Sequence, residues 1–474
     1  MAAPPLRHVL SRFSYGVTPN LVAKARELGG AQAWFETQLA HSDVADLTAK
    51  RMRGWFPYLA KTARELYVAQ TSGEYPAWQS TMDLGRWTIL RRTYSKRQLF
   101  ETMVEFWSNL LHVPLYEDES WPHRIGYDGV IRKHALGRFD DMLAGATVHG
   151  AMGCYLDNAI STKWAVNENL GRELLELHTV GVEAGYTERE VLHSAYILTG
   201  WRVDMWDSWD SYYAPRDHWT GPVSVLGFTD PNATADGQAL TMRYLRFLAH
   251  HPATARRIAT KLCVRFVADQ PSSSIVDAVA AAYLSSGTDI KATLRALQAH
   301  PDFAASVDGK VRTPAEDAIA AYRVLGARVE PPTSDDDFAR AIGWQLESLG
   351  QKPYGWPAPD GFPDVGIAWS SVGRVLSSLD LHLTLAGGWW PSKGVTYPTV
   401  AERLPTLPAR FDAIGDHTSQ QLLQRPATPQ LQAACRAMLG LAAGDRFTRP
   451  ADFGEWRLVQ LLATVLNSPA HSAR

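Results

Sequence analysis

Apolar residues along the chain recur mostly at three- and four-residue spacing, the period of helices with one face turned to a core. The densest case is NENLGRELLELHTVG at residues 167–181, where Leu170, Leu174 and Leu177 fall at i, i+4 and i+7. Gly181 stands where such a helix closes. Glu168, Asn169, Arg172, Glu173 and Glu176 project to the other side, and His178 falls beside Leu174. The apolar helix that follows, around Ala195–Trp201, suggests that this polar face is covered. In RQLFETMVEFWSNLL, residues 97–111, Glu101, Glu105, Ser108, Asn109 and His112 share a second polar side, away from Met103, Phe106, Trp107 and Leu110. Thr187 and Glu190 make a capping box ahead of a third helix that ends at Gly200-Trp201.

Helical patterning also covers roughly 6–70, 78–94, 122–165, 238–326 and most of the chain after a Pro-rich bridge at 391–408. Residues 327–336 read as a turn or linker. The period fails at 201–236 and 351–369, two aromatic stretches, the first holding a strand or hairpin at 221–227. The expected fold is all-α: a multi-helix, bundle-like core with two long irregular aromatic loops and at most a small β-hairpin. Four regions follow, in one or two compact units. They are an N-terminal helical region (1–96), a central core with the first aromatic loop (97–236), a helical region (237–330) and a C-terminal helical region with the second loop (331–474).

Composition narrows the function classes. A net charge of −2 gives no electrostatic case for nucleic acid or an anionic membrane. Three cysteines, Cys154, Cys263 and Cys435, are too scattered for a disulfide framework or a zinc site and fit a reducing compartment. The amino terminus shows no apolar leader and no run has the length of a membrane span, so the expected location is cytoplasmic. HExxH, G-x-S-x-G, Walker, G-x-G-x-x-G and CxxC patterns are absent.

Five pieces resemble one known family. They are Phe106-Trp-Ser-Asn109; Tyr155-Leu-Asp-Asn158 with the 167–181 stretch; Leu198-Thr-Gly-Trp201; His251-Pro-Ala-Thr-Ala-Arg256 with Lys261-Leu-Cys-x-x-Phe266; and Gly355-Trp-Pro with Trp369. In this order they are similar to the bacterial family catalogued as domain of unknown function 1800. The resemblance implies a mostly helical protein, a sulfatase-like partner protein encoded nearby, export in other members, and no settled reaction. The chain departs from the pattern at Leu110, where many members carry histidine; here the histidine is His112.

Three chemistries fit the polar stripes. The first is an inter-helix metal site for oxidation, with Glu105, His112, Glu173, Glu176, His178 and His193 as ligands and Arg172 and Asn169 orienting them. Bundle sites take carboxylates and histidines from facing helices, and Glu190-Val-Leu-His193 is the chain's Glu-x-x-His. Such mixed donors favour iron or manganese. Against it, Glu190 is already the capping residue, His178 is on the wrong side unless its last turn unwinds, and Arg172 can neutralise a carboxylate. The second is metal-free acid–base hydrolysis of a glycan or glycosylated product by Glu173 or Glu176 with His178. The third is a non-enzymatic binding or assembly protein, its polar stripe a hydrogen-bonded structural network. Trp201, Trp206, Trp209, Tyr212, Tyr213, Trp219 and Trp356 either line a site for a small molecule, glycan or peptide, or seal the core.

Overall fold

Helices start where the chain offers an oxygen to their first unpaired N–H groups. Thr62, Thr187, Thr313 and Thr399 each form a capping box with the glutamate three residues on. The structure is a computed structural model describing residues 4–115 and 119–474; Met1–Ala3, where the amino-terminal reading begins, lie outside it. Helices dominate, joined by four two-stranded antiparallel sheets among the described residues. The first aromatic stretch holds two of these hairpins, Trp201–Val203 with Ser211–Tyr213 and Val223–Val225 with Phe228–Asp230. Leu226 and Gly227 turn the second with φ of 49° and 89°, the left-handed pair that a two-residue hairpin needs. The 327–336 stretch contributes Arg328–Val329, paired with Val395–Thr396.

Burial follows two large apolar clusters. The first gathers the helices Gln98–Leu110, Phe139–Thr147, Gln238–Ala249, Pro252–Phe266 and Ser273–Ser285. The second joins Ala77–Tyr94 to Pro314–Val324, Phe338–Ser348, Val372–Gly387 and Glu455–Leu466. Ala77–Tyr94 lies in sequence between two helices of the first cluster, Ala31–Leu39 and Gln98–Leu110, yet packs with the second, so the two halves interlock. No helix among the described residues is long and apolar enough to cross a membrane.

Candidate functional site

The 167–181 stretch begins as an α-helix, Asn169–Glu173, and widens into a π turn at Leu174–His178. The Thr179 hydroxyl donates to the Leu174 carbonyl at 2.6 Å and the Gly181 N–H to the Leu175 carbonyl at 2.8 Å. That wider turn carries His178 into the interior, where it is 1 % exposed. Gly171 sets the packing side. A Cβ there would lie 2.7 Å from the Ala195 backbone nitrogen, so this helix meets Glu188–Leu198 backbone to backbone. The polar stripe is thereby turned outward, contrary to the expectation that it is covered. Arg172 forks onto Glu188 at 3.1 and 2.6 Å and lies 3.5 Å from Glu168 and 3.7 Å from Glu176. Asn169 donates to Asp157 at 3.5 Å.

The second stripe is largely buried, and its two carboxylates are fully paired. Glu101 takes Arg91 Nε at 2.7 Å and Arg132 Nη1 at 2.8 Å. Burial pushes its carboxyl up, but the two guanidinium groups outweigh that and hold it below the usual range. Glu105 accepts from Arg92 at 2.9 Å, Arg265 at 2.8 Å and the Tyr15 hydroxyl at 2.7 Å. Arg265 also meets Glu316 at 2.9 Å and Asp364 at 2.8 Å, and Arg474 meets Glu316 at 2.8 Å. This charged layer ties the two apolar clusters together. His112 donates Nε2–H to the Trp356 carbonyl at 2.8 Å, and burial holds it down to about 4. His193 Nδ1 accepts from the Ser224 N–H at 2.9 Å, while Glu190 accepts from the Leu226 N–H at 2.8 Å, so this pair clamps the second hairpin. Among the described residues, Glu105, His112, Glu173, Glu176, His178 and His193 bring no three ligand atoms within reach of one ion.

Three of the sequence pieces do converge. Asn109, Lys261, Trp356, Asp360 and Asp364 line a cleft of about 360 Å³. Gly361, at φ +71°, presses against the Asn109 carbonyl and leaves no room there for a Cβ. Burial, then Arg257, lowers the Lys261 ammonium. Burial, then Glu176 and, more weakly, Asp360, raises Glu173. His178 is held down to about 3 by burial, with Arg257, His112 and Lys261 adding to it.

The aromatic loop mostly packs. Trp209 is buried against Tyr67 and His123, Trp219 stacks on Tyr196 at 4.0 Å, and Trp201 donates to Thr241 at 3.2 Å. The Tyr213 hydroxyl accepts the Gly237 N–H at 2.8 Å. Trp206 and Tyr212 face solvent, and Trp356 bonds Asp360 at 2.7 Å beside the cleft.

A cluster outside every sequence-derived candidate could hold a metal ion. Asp317 comes from Pro314–Val324, His382 from Val372–Gly387 and His471 from the short helix Pro469–Ser472; all three are buried. Asp317 Oδ1 stands 3.4 Å from His382 Nε2 and 3.3 Å from His471 Nε2, and the rings cross at 89°. Bonds of about 2.0–2.2 Å to a common ion put ligand atoms about 3.0–3.5 Å apart at angles near 90–110°. Apart from one another, the three atoms have no polar partner. His382 donates Nδ1–H to Asn467 Oδ1 at 2.8 Å, which turns Nε2 toward Asp317; burial pushes the imidazole's pKa down, but the Asp317 carboxylate outweighs that and raises it. Arg312 fixes the turn carrying His471 through the His471 and Ala473 carbonyls. Arg374 lies 3.6 Å from the other Asp317 oxygen. Glu316, next to Asp317, belongs to the charged layer, so that layer runs from the cleft at Asp364 to this centre.

Sequence patterning missed this cluster because its members lie on three distant helices. The available signal was a charged or imidazole side chain set in an apolar run, as in Leu379-Asp-Leu-His382-Leu-Thr-Leu385.

A family model described as a protein of unknown function (DUF1800) matches residues 8–472. No curated protein and no solved structure matches the chain.

Proposed function

The chain belongs to the DUF1800 family, which brings no reaction with it, and from that footing we propose that it is a metal-dependent oxidoreductase centred on Asp317, His382 and His471. One observation carries the reading: a carboxylate and two imidazoles, buried and with no polar partners for these atoms but one another, place their ligand atoms within 4.8 Å of one another. A buried polar atom left short of good partners costs about 1–3 kcal/mol, and a shared cation would satisfy all three at once. With both imidazoles neutral, as metal ligands must be, the set would carry a single negative charge, suited to a divalent ion. Two histidines and one carboxylate favour iron, with manganese next, and leave positions open for water, dioxygen or substrate. Asp317 and the histidines hold the ion, Asn467 fixes the His382 ring, and the apolar surroundings exclude bulk water.

The test is metal content, by inductively coupled plasma mass spectrometry, of protein purified without a histidine tag, beside His382→Gln, His471→Gln and Glu173→Gln. Near-stoichiometric iron or manganese in the wild type and Glu173→Gln, lost in both histidine variants that still fold, supports the centre. Equal metal in all four, or a wild type that takes up neither Fe(II) nor Mn(II) under anaerobic addition, overturns it.

Glu173, raised by burial and by Glu176, with Lys261 in the neighbouring cleft, favours a second reading. Here the cleft performs metal-free acid–base hydrolysis of a glycan or glycosylated product. Loss of turnover in Glu173→Gln with metal content intact would select it.

A further inference from the structure

A cavity of about 1020 Å³ opens among the helices Val372–Gly387, Phe411–Leu423, Pro429–Leu439 and Glu455–Leu466. It reaches into the interior: Ser419, Leu423 and Ala463 line it and are 0 %, 5 % and 4 % exposed. Its mouth is apolar as well. Val372, Val375, Leu376 and Leu379 follow helical spacing toward it and face solvent. Scattered exposed apolar residues are ordinary, but a stripe that runs into a half-open, largely apolar cavity suits the entry of an apolar ligand.

The cavity and the metal centre share a wall. Asn467 lines the cavity and holds His382, Leu379 and Leu383 flank His382 on the same helix, and Ala470 precedes His471. From this juxtaposition we propose that the cavity binds a neutral, apolar alcohol against the wall it shares with the Asp317–His382–His471 centre; any part the centre plays in its chemistry rests on the function proposed above, its binding does not.

Charge excludes an anionic head group. Arg425, the cation among the described lining residues, is already engaged by Asp308 at 2.8 Å and by the Ala470 carbonyl at 3.0 Å. Asp380 is exposed at the rim and repels a carboxylate. The polar lining suits a hydroxyl. Ser419, Thr464 and Ser468 donate their own hydrogens to the Arg425, Gln460 and Val465 carbonyls at 2.9, 2.7 and 2.7 Å. Their oxygens therefore remain as acceptors for a ligand O–H.

The experiment uses the full chain, metal-free after chelation and again metal-loaded, with the neutral dye Nile red as fluorescent probe and 1-dodecanol or dodecanoate as competitor. Dodecanol is expected to displace the dye and dodecanoate to do so about ten-fold or more weakly. Ala434→Trp, which fills the cavity from an exposed helix position, and Leu379→Lys at the mouth should each weaken dodecanol about ten-fold or more with melting unchanged. Equal competition by acid and alcohol, or wild-type binding in both variants, overturns the proposal. So does a dimer in light scattering that shuts out the dye, which would assign the cavity to contact between copies. Metal content read on the same samples separates the two claims: alcohol binding without metal uptake sinks the oxidoreductase reading and leaves the cavity, and the reverse result does the opposite.

Discussion

Glu105→Gln replaces the carboxylate between the two apolar clusters with a neutral group of the same shape. The side chains of Glu105, Arg92 and Arg265 are 6 %, 5 % and 2 % exposed, so water cannot replace the lost charge. One amide end accepts as before; the other presents N–H toward a guanidinium that is itself only a donor. Breaking a buried pair from one side costs about 3–5 kcal/mol. Arg265 keeps Glu316 and Asp364 as counter-charges, which places the loss near the lower end, about 3 kcal/mol. The assay is urea unfolding followed by fluorescence, read as a fall in midpoint at constant slope. Combining Glu105→Gln with Arg92→Met in a double-mutant cycle should give a coupling of about 1 kcal/mol or more. Metal per folded chain should not change. Unaltered stability together with lost metal would make Glu105 a ligand and refute the assignment of this layer to structure.

Two further outcomes follow from the same geometry. Gly171→Ala pushes a methyl to within 2.7 Å of the Ala195 backbone nitrogen, so it should destabilise by about 1–3 kcal/mol despite alanine's better helix propensity; a stabilised variant in denaturant titration would show that these helices do not touch there. Burial holds His112 and His123 at about 4 and His178 at about 3, below the ordinary 6.5. The unfolded chain binds these protons first, so stability is complete above the unfolded value and is lost as pH falls from about 6.5 toward about 4, by up to ~1.4 kcal/mol per pH unit for each histidine. Urea midpoints measured at about pH 7.5, 6 and 5 should fall in that order, and His178→Gln should flatten the slope by one proton; a flat wild-type profile contradicts the burial.

Local chemistry was the legible part of this chain. The Thr187–Glu190 capping box, the hairpin near 221–227 and the breakdown of helical period in the aromatic loop all follow from turn and cap residues acting over a few positions. The direction of the central stripe was not legible. Projection at one fixed period cannot anticipate the π turn at Leu174–His178, and Gly171, with no side chain, adds nothing to an apolar pattern although it sets the packing side. The fate of Glu105 was hidden for another reason: its position is local, but its counter-ions Arg92 and Arg265 arrive from two other helices. Asp317, His382 and His471 are the extreme case, each an ordinary core polar residue until three distant helices bring them together.

The central claim is that these three side chains hold a redox-active cation. Anomalous diffraction from crystals of protein expressed with iron and manganese supplied, recorded on both sides of each metal's absorption edge, tests it directly. The expected result is one anomalous peak about 2 Å from Asp317 Oδ1, His382 Nε2 and His471 Nε2. A map with no peak there, or with its peak among Glu173, Glu176 and His178, would contradict it.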